Sequence, residues 1–596
     1  MAMKDKASRD NSDDGNGDDN DGVIPVLVIG AGPHALTLVT KFLEAGVDPF
    51  EESPWNSKLF MQRPGGISYR YPKAKRQLAS EKDSVIKKKV RTASKTKFEA
   101  RKIFRVFDTH GDWLRQWQYQ FDKLGIEYLR SSVNGHVDPV SWETLEMDIL
   151  AKPMKNRSCP PQREMHHLQR GGCYHGPFAV PSSEHFVHFT DKIVQRYNLE
   201  SLVEEGTAVS VVPDPNEDGV YIVEMDNGQT VRAEHVVLAL GPQRTPRWPD
   251  AMLPYNNNKN GNLSASGTDA GDSETITTTT TTNQPRYPCV HSVGLLCPNA
   301  RNEWTRLLSV LAASSSPRVL VVGGGLTSAH LVVALHNHCE AMKHNNNNIN
   351  KDGESDSDGD SDENYYETDY ETDDCGRGDL HVTLVSRSEL KVQAFDLQLS
   401  WMGLTRGHLL AQFWSEEDFE NRVRLIRDAK NKGASISPEV FEKLKELEEE
   451  SKLTILEETE MMQVDFLGDE GDSEQPSWCV DFDPPLEDGE PGEYDYVICA
   501  TGTTTNLSHE PLLSHFYPEI DVLESTQQAI LDPDLRVARD HNVFVLGEAA
   551  ALQLGPGAVN LMGGRAGAAR VVRAIRNSMD GGGGDHHDKQ PCPLEH

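Results

Sequence analysis

Basic residues are scarce in this chain of 596: 59 Lys and Arg stand against 93 Asp and Glu, a formal net charge of −34. Nucleic acids and anionic membrane surfaces are polyanions that such a chain repels, so neither is expected as a partner. Cysteine is sparse too. Cys159, Cys173, Cys289, Cys297, Cys339, Cys375, Cys479, Cys499 and Cys592 show no regular spacing and form no CxxC or CxxxxC pair. That argues against a disulfide framework and for a reducing compartment. No apolar run approaches the ~18 to 20 residues of a membrane span. The opening MAMKDKASRDNSDDGNGDDND lacks both the apolar core and the Arg-richness of a targeting peptide, and a cytoplasmic location is the expectation. The His pair of the C-terminal tail lacks metal-ligand company, and no metal is expected.

The negative charge is concentrated. Asp352 to Asp374 holds 12 acids and no base, and residues 1 to 22 hold 7 acids against 3 bases; together they carry −16. Both are Asp, Ser, Gly and Asn tracts with too few apolar side chains to offset chain entropy, and disorder is expected for them. Asn256 to Asn283, with its threonine run, and the glycine-rich tail from Asp580 read the same way. One segment has the opposite sign: Lys73 to Lys102 contains 12 Lys and Arg against 3 acids, and reads as a solvated surface loop.

The remainder alternates short β-rich runs with helical ones, the pattern of an α/β protein. Residues 23 to 45, VIPVLVIGAGPHALTLVTKFLEA, read as a buried strand, a glycine turn and an apolar helix. The turn is GxGxxA. Gly30 permits the tight bend, Gly32 lets the backbone approach a pyrophosphate, and Ala35 lets the helix lie close to the sheet, with the helix N-terminus facing phosphate charge. A second copy, RVLVVGGGLTSAHLVVAL, places Gly323, Gly325 and Ser328 in the same three positions. One copy is weak; two predict two nucleotides on one chain.

Such a turn calls for an acid roughly 20 positions on, at the end of the next strand, to hold the ribose hydroxyls. Counting from Gly30 reaches Glu51 and Glu52, but Pro49 and Pro54 flank them and make a poor strand. Ile103 to Phe107, ending in Asp108, reads better, and setting aside the 48-residue segment 54–101 brings the gap from 78 residues to 30. In the second copy, HVTLV (381 to 385) runs into Ser386 and Arg387, and setting aside the 39 residues 340–378 brings the gap from Gly323 from 64 to 25. A guanidinium there suits a ribose 2′-phosphate, so the second nucleotide is expected to be NADP(H). Three further pieces fit: the strand-to-glycine runs EHVVLALGP (234 to 242) and YDYVICATGT (494 to 503), the latter containing Gly502, and NVFVLGEAAALQLGPGAVNLMGG from Asn542.

These residues make the chain resemble two-dinucleotide-binding flavoproteins, and specifically the L-ornithine N5-monooxygenase and lysine N6-hydroxylase-like family. The resemblance is carried by GAGPHAL (30 to 36), DTHGDWLRQWQYQF (108 to 121), YLRSSVNGHVDP (128 to 139), GGGLTSAHL (323 to 331), SRSELKVQAFDLQLSWMG (386 to 403) and GEAAALQLGPGAVNL (547 to 561). It implies FAD on the first site, held by Gly30, Gly32, Pro33, His34 and Asp108, with Gly547, Glu548, Gly555 and Pro556 toward the ribityl chain and ring. It implies NADPH on Gly323, Gly325, Leu326, Thr327, Ser328, Arg387 and Gly502. The reaction implied is N-hydroxylation of a small-molecule primary amine by O2 through a C4a-hydroperoxyflavin, where the protein contributes position and desolvation rather than an acid–base dyad. Arg130 and His136 are the candidates beside the flavin, and Trp113 and Trp117 are read as core. His34 and Glu548 depart from the family's usual residues at those positions.

The fold expected is α/β with two Rossmann-like dinucleotide-binding domains, the FAD domain discontinuous, the NADP domain inserted, and disordered low-complexity insertions between. Residues 1–21 form an acidic N-terminus; 22–250 the first part of the FAD domain, with the basic insertion 54–101; 251–286 a linker; 287–490 the NADP domain, with the acidic insertion 340–378; 491–579 the second part of the FAD domain; 580–596 a tail. A disulfide reductase lacks its cysteine pair here. Two readings stay open beside the hydroxylase: an NADPH oxidase or quinone reductase, and a non-catalytic flavin-binding stress-response regulator similar to the oxidative-stress-induced growth inhibitor proteins. One contact from Arg387 to a 2′-phosphate is worth about 1.5 to 3 kcal/mol, so Arg387→Ala is expected to lower the NADPH-over-NADH ratio of kcat/KM by about 10- to 150-fold. An unchanged ratio would show that another residue reads the phosphate.

Overall fold

The computed structural model describes residues 22–44, 100–139, 145, 165–166, 179–241, 245–255, 287–298, 301–349, 379–403, 405–431, 433–467, 477–487, 489–504, 506–507 and 510–580. The acidic N-terminus, Glu51 and Glu52, the basic segment up to residue 99, residues 256–286, the acidic tract from 350 and the tail beyond 580 lie outside them.

The unbroken apolar run Ile24–Ile29 cannot show one face to water, and it forms an inner strand of the first sheet, with Val26, Leu27 and Val28 fully buried. It pairs in parallel with Phe104–Asp108 on one side and Thr230–Leu238 on the other, Ile29 lying opposite Phe107 and Leu238. The sheet runs Val203–Glu205, Phe104–Asp108, Ile24–Ile29, Thr230–Leu238, Tyr221–Met225, Ala208–Pro213. Thr230–Leu238 changes partner along its length: its first half pairs antiparallel with Tyr221–Met225, and its last three residues pair in parallel with Val543–Val545. That exchange brings the C-terminal segment back to the first glycine turn. Helix Pro33–Leu43 then packs along helix Leu561–Asp580, where Gly564 leaves room for the His34 ring.

The second sheet is wholly parallel: Cys289–His291, Tyr496–Cys499, Arg318–Val322, His381–Val385, Leu453–Leu456. Its core takes in helix Pro438–Glu449, with Val440 and Leu444 buried and Phe441 and Leu447 partly so. An antiparallel trio, Glu460–Leu467, Ser477–Asp483 and Gly492–Tyr494, closes over Trp478. Among the described residues no helix is long and apolar enough to cross a membrane.

Three features differ from the sequence-drawn outline. Tyr496–Cys499, assigned to the returning FAD segment, lies inside the second sheet, and the chain crosses back only afterwards, where Thr503–Thr504 pairs antiparallel with the outgoing Thr245–Pro246. The helix after the second glycine turn runs to Ile349, ten residues into the stretch assigned to the acidic insertion. Most consequential is the stretch from Leu397 to Ala429, which is flanked by second-domain elements. Its Leu397, Trp401, Leu410, Phe413, Ile426 and Ala429 join the core of the first sheet. Periodicity shows that a helix has an apolar face, not which body receives it. Trp113 and Trp117 are core as read, although Trp113 precedes helix Arg115–Leu124; its indole N–H donates to the Leu199 carbonyl at 2.9 Å, and Trp117 lies 5.9 Å from Phe186.

Burial drives the imidazole pKa of His291 and of His336 down to about 4, so both are neutral in the folded protein. In the unfolded chain they titrate near the ordinary ~6.5. Between those values the unfolded state binds more protons, so stability is lost as pH falls from about 6.5 toward 4, by on the order of 1 to 2 kcal/mol per histidine at pH 5. The urea midpoint should drop between pH 7.5 and pH 5, with a shallower dependence in His336→Gln; a flat profile would contradict the assignment.

Candidate functional site

Both glycine turns are built the same way. At Gly30 the backbone has φ of +99°, and a Cβ there would stand 2.5 Å from the carbonyl oxygen of Ala239 at the end of the adjacent strand. The Gly30 N–H donates to the Phe107 carbonyl at 2.7 Å. At Gly323 φ is +140°, a Cβ would collide with the Ala500 carbonyl, and the N–H donates to Val385 at 2.9 Å. Each turn is thus clamped between the ends of two parallel neighbours, and only glycine fits.

Around the first turn the space needed by a phosphate is present. No atom lies within 4 Å of a Cβ built on Gly32, and helix Pro33–Leu43 starts beside it with no side-chain cap, leaving the electropositive end of its dipole toward that space. Pro33 at the first position forfeits only an N–H that no helix would use. Asp108 is where the spacing put it, at the strand end, but its carboxylate has a structural duty: Oδ2 accepts the Ala31 N–H and Oδ1 the His110 N–H, each at 2.8 Å. Each oxygen keeps a further lone pair.

The second turn differs in detail. Ser328 is buried and bonds its own turn, its Oγ accepting the Gly325 N–H at 3.1 Å and donating to the Gly325 carbonyl at 2.7 Å. Leu326 is half-buried and Thr327 exposed. Gly324 is pressed against Ser386. The Arg387 side chain is 75% exposed and its guanidinium stands 3.9 Å from Glu460, itself 60% exposed; so loose a pair in water holds an arginine weakly. Gly502, with φ of +82° and open space around it, marks the returning crossover, where its carbonyl accepts the Arg247 N–H at 3.0 Å.

The C-terminal turn is held by residues that sequence reasoning missed. Glu548, expected to face a ribityl chain, sits 3.2 Å from Lys430 Nζ at the end of the Phe419–Ala429 helix. The short helix Ala551–Leu554 ends on carbonyls that accept Arg422 Nη1 (at Leu552, 2.8 Å), Trp414 Nε1 (at Gln553, 3.0 Å) and Arg570 Nη2 (at Gln553, 3.1 Å). Cationic and N–H donors at a helix C-terminus satisfy its orphan carbonyls and its dipole. Gly555 follows with φ of +93°, packed against Leu410 and Phe413, and Pro556 leads into Gly557. No local pattern announces these partners; they come from stretches some 130 residues upstream or one helix downstream.

A small crevice, partly open to solvent, lies where these pieces converge, lined among others by Arg130, Ser131, Arg406, Gly557, Asn560 and Met562. Arg130 is therefore at the site, but its guanidinium clasps the neck of the 394–431 stretch. Nε donates to Ala394 (3.2 Å), Nη1 to the Ser435 carbonyl (2.8 Å), and Nη2 to Gln393 (2.6 Å) and Ser435 Oγ (2.7 Å). His136 is in the core and does not line the cavity. Its Nδ1 accepts the Asp138 N–H at 3.2 Å, Arg565 lies 3.5 Å away, and the ring meets Phe189 edge to face at 5.6 Å. Neither is a free proton donor at the cavity by this geometry.

No protein-family profile and no curated protein matches the sequence. Solved structures match the fold. An ornithine N-hydroxylase from Kutzneria sp. 744, solved with reduced FAD, NADP+ and L-ornithine, matches over 94% of this chain and 100% of its own, with a TM-score of 0.53 and 12% identity. An ornithine hydroxylase from Pseudomonas aeruginosa matches over 94% and 100%, with a TM-score of 0.53 and 11% identity. The FAD-bound cadaverine monooxygenase of desferrioxamine biosynthesis from Erwinia amylovora matches over 93% and 94%, with a TM-score of 0.50 and 12% identity. At such identities the likeness is one of architecture: this chain has the two-domain α/β fold of these structures.

Proposed function

We propose that the protein is an FAD- and NADPH-dependent monooxygenase that N-hydroxylates a small primary amine of the ornithine or lysine kind, with O2 as co-substrate. The observation that carries this is the pair of equivalent glycine turns, Gly30 under Ala239 and Gly323 under Ala500, with a cavity beside the segment that follows Gly547. In this reading residues 22–250 and the chain that follows the Thr503–Thr504 crossover form the FAD domain, completed by the stretch from Leu397 to Ala429, and the NADP domain, which keeps Tyr496–Cys499, lies between.

FAD, when bound, supplies hydride acceptance from NADPH and the activation of O2. The chain's residues do the rest. The backbone at Gly32, His34 and Ala35 takes the pyrophosphate, and Asp108 accepts the ribose hydroxyls on its remaining lone pairs while still holding Ala31 and His110 in place. Gly547 and Glu548 meet the ribityl chain, and Gly555 and Pro556 the ring. The backbone of the turn from Gly323 through Gly325 to Leu326 and Thr327 would take the NADPH pyrophosphate, the buried Ser328 hydroxyl fastening that turn at Gly325, and Arg387 would exchange its loose contact with Glu460 for the 2′-phosphate, a charge-assisted bond. Gly502 gives the crossover its turn. Arg130 positions the cavity wall by holding Gln393, Ala394 and Ser435. Holding the reacting groups in one geometry is what this wall would add to the rate.

The test uses purified full-length protein: its visible flavin spectrum, then NADPH consumption with and without ornithine or lysine, scoring hydroxylamine and peroxide. Amine-dependent hydroxylamine is expected. Peroxide with no amine dependence would replace the hydroxylase by an NADPH oxidase, and bound flavin with no NADPH turnover would leave the non-catalytic reading.

A further inference from the structure

The residue in the first turn that departs from the hydroxylase pattern, His34, does more than occupy a helix position. Its ring reaches from helix Pro33–Leu43 across to the C-terminal segment and lies so close to Gly564 that a Cβ there would strike Cδ2. Its Nδ1 stands 3.6 Å from a Cβ built on Gly547. The missing side chain of Gly564 is what makes room for the ring, whereas at Gly547 a Cβ would only touch it. On the far side, Nε2 is 3.1 Å from the Asn560 carbonyl. A carbonyl can only accept, so Nε2 carries the proton, and burial, which lowers the pKa of this imidazole, keeps the ring neutral. Nδ1 is thereby left as the acceptor facing the Gly547 turn. Asn560 lines the cavity and sends its amide Nδ2 to Asp396 Oδ1 at 3.3 Å. Three stretches remote in sequence, 33–43, 547–564 and the inserted 394–431, are thus joined through one imidazole and one asparagine.

We propose that His34 is a positioning residue that ties the first glycine turn to the cavity wall through Asn560 and Asp396, so that the seat of the FAD pyrophosphate and the seat of the flavin ring hold one fixed relation. This rests on the assignment of FAD to the first turn. A contact of this kind works by locking the groups that touch the ligand, and its loss shows as a looser ligand rather than a missing one.

The experiment compares the full-length protein with His34→Leu, which keeps bulk and loses the donor, and His34→Gln, whose amide N–H restores it. The readouts are the FAD dissociation constant from flavin fluorescence quenching and the visible absorption of the bound flavin. His34→Leu is expected to weaken FAD at least about tenfold and to shift the flavin bands, and His34→Gln to recover most of both. Asp396→Ala, which cuts the chain at its other end, is expected to shift the bands with a smaller loss of affinity, and decides the matter if His34→Leu does not fold. Wild-type affinity and bands in His34→Leu, or in its place unshifted bands in Asp396→Ala, would overturn the inference; so would equal losses in His34→Leu and His34→Gln. Failure of the unmodified chain to bind FAD would overturn the underlying functional reading as well, which separates the two.

Discussion

Two carbonyl oxygens, those of Ala239 and Ala500, leave no room for a side chain at Gly30 and Gly323, and most of what the molecule can bind follows from that exclusion. The constraint arises because each turn ends an inner strand of a parallel sheet, with neighbours on both sides at strand spacing. A backbone so confined must bend with positive φ, and the following helix starts at once, its N-terminus at the carboxyl end of the sheet. In open parallel sheets that crevice is where ligands bind. Asp108 reinforces the bend by holding the Ala31 N–H; the second turn uses the Ser328 hydroxyl on Gly325 for a comparable purpose. The same problem of fastening a tight loop has two local chemical solutions.

The cavity depends on a different principle, in which elements from one domain complete the other. The stretch 394–431 leaves the second domain, packs Leu410 and Phe413 against Gly555, and caps the Ala551–Leu554 carbonyls with Arg422 and Trp414. Arg130 closes the neck of this stretch from the first domain. Guanidinium groups suit such work, since one planar fork serves several carbonyls at once. Arg570 shows the cost of the arrangement: it is almost wholly buried, stacked 5.5 Å from Trp414, and burial and a neighbouring Arg573 lower its pKa to about 9.

The departures from the sequence-based outline share one physical origin. Tyr496–Cys499 reads as a strand leading into a glycine turn, as Glu234 to Leu238 does, and nothing in either string states which sheet will accept it. The helices of 406–429 are amphipathic, and amphipathicity does not name a partner. Arg130, a candidate beside the flavin by its place in the sequence, lines the crevice, and its guanidinium is engaged by backbone carbonyls some 260 to 300 residues away. His136, a candidate that reads equally well as a structural histidine, is held in the core by a backbone N–H two residues on and a buried arginine from the C-terminal helix.

Whatever depends on neighbours within a few residues or on a repeated spacing is legible in the amino-acid string: the two strand–turn–helix units, Asp108 and Arg387 at their strand ends with the charged tracts set aside, and the strict glycines of the turns. These are local because a bend, a helix start and a register each involve a handful of consecutive backbone atoms. Long-range packing sets which sheet each strand joins, which core the stretch from Leu397 to Ala429 completes, and what partners Arg130, His136, Glu548 and His34 have. Those partners lie hundreds of residues apart in the chain, and the pairing energy of a side chain depends on distances that only the folded packing sets.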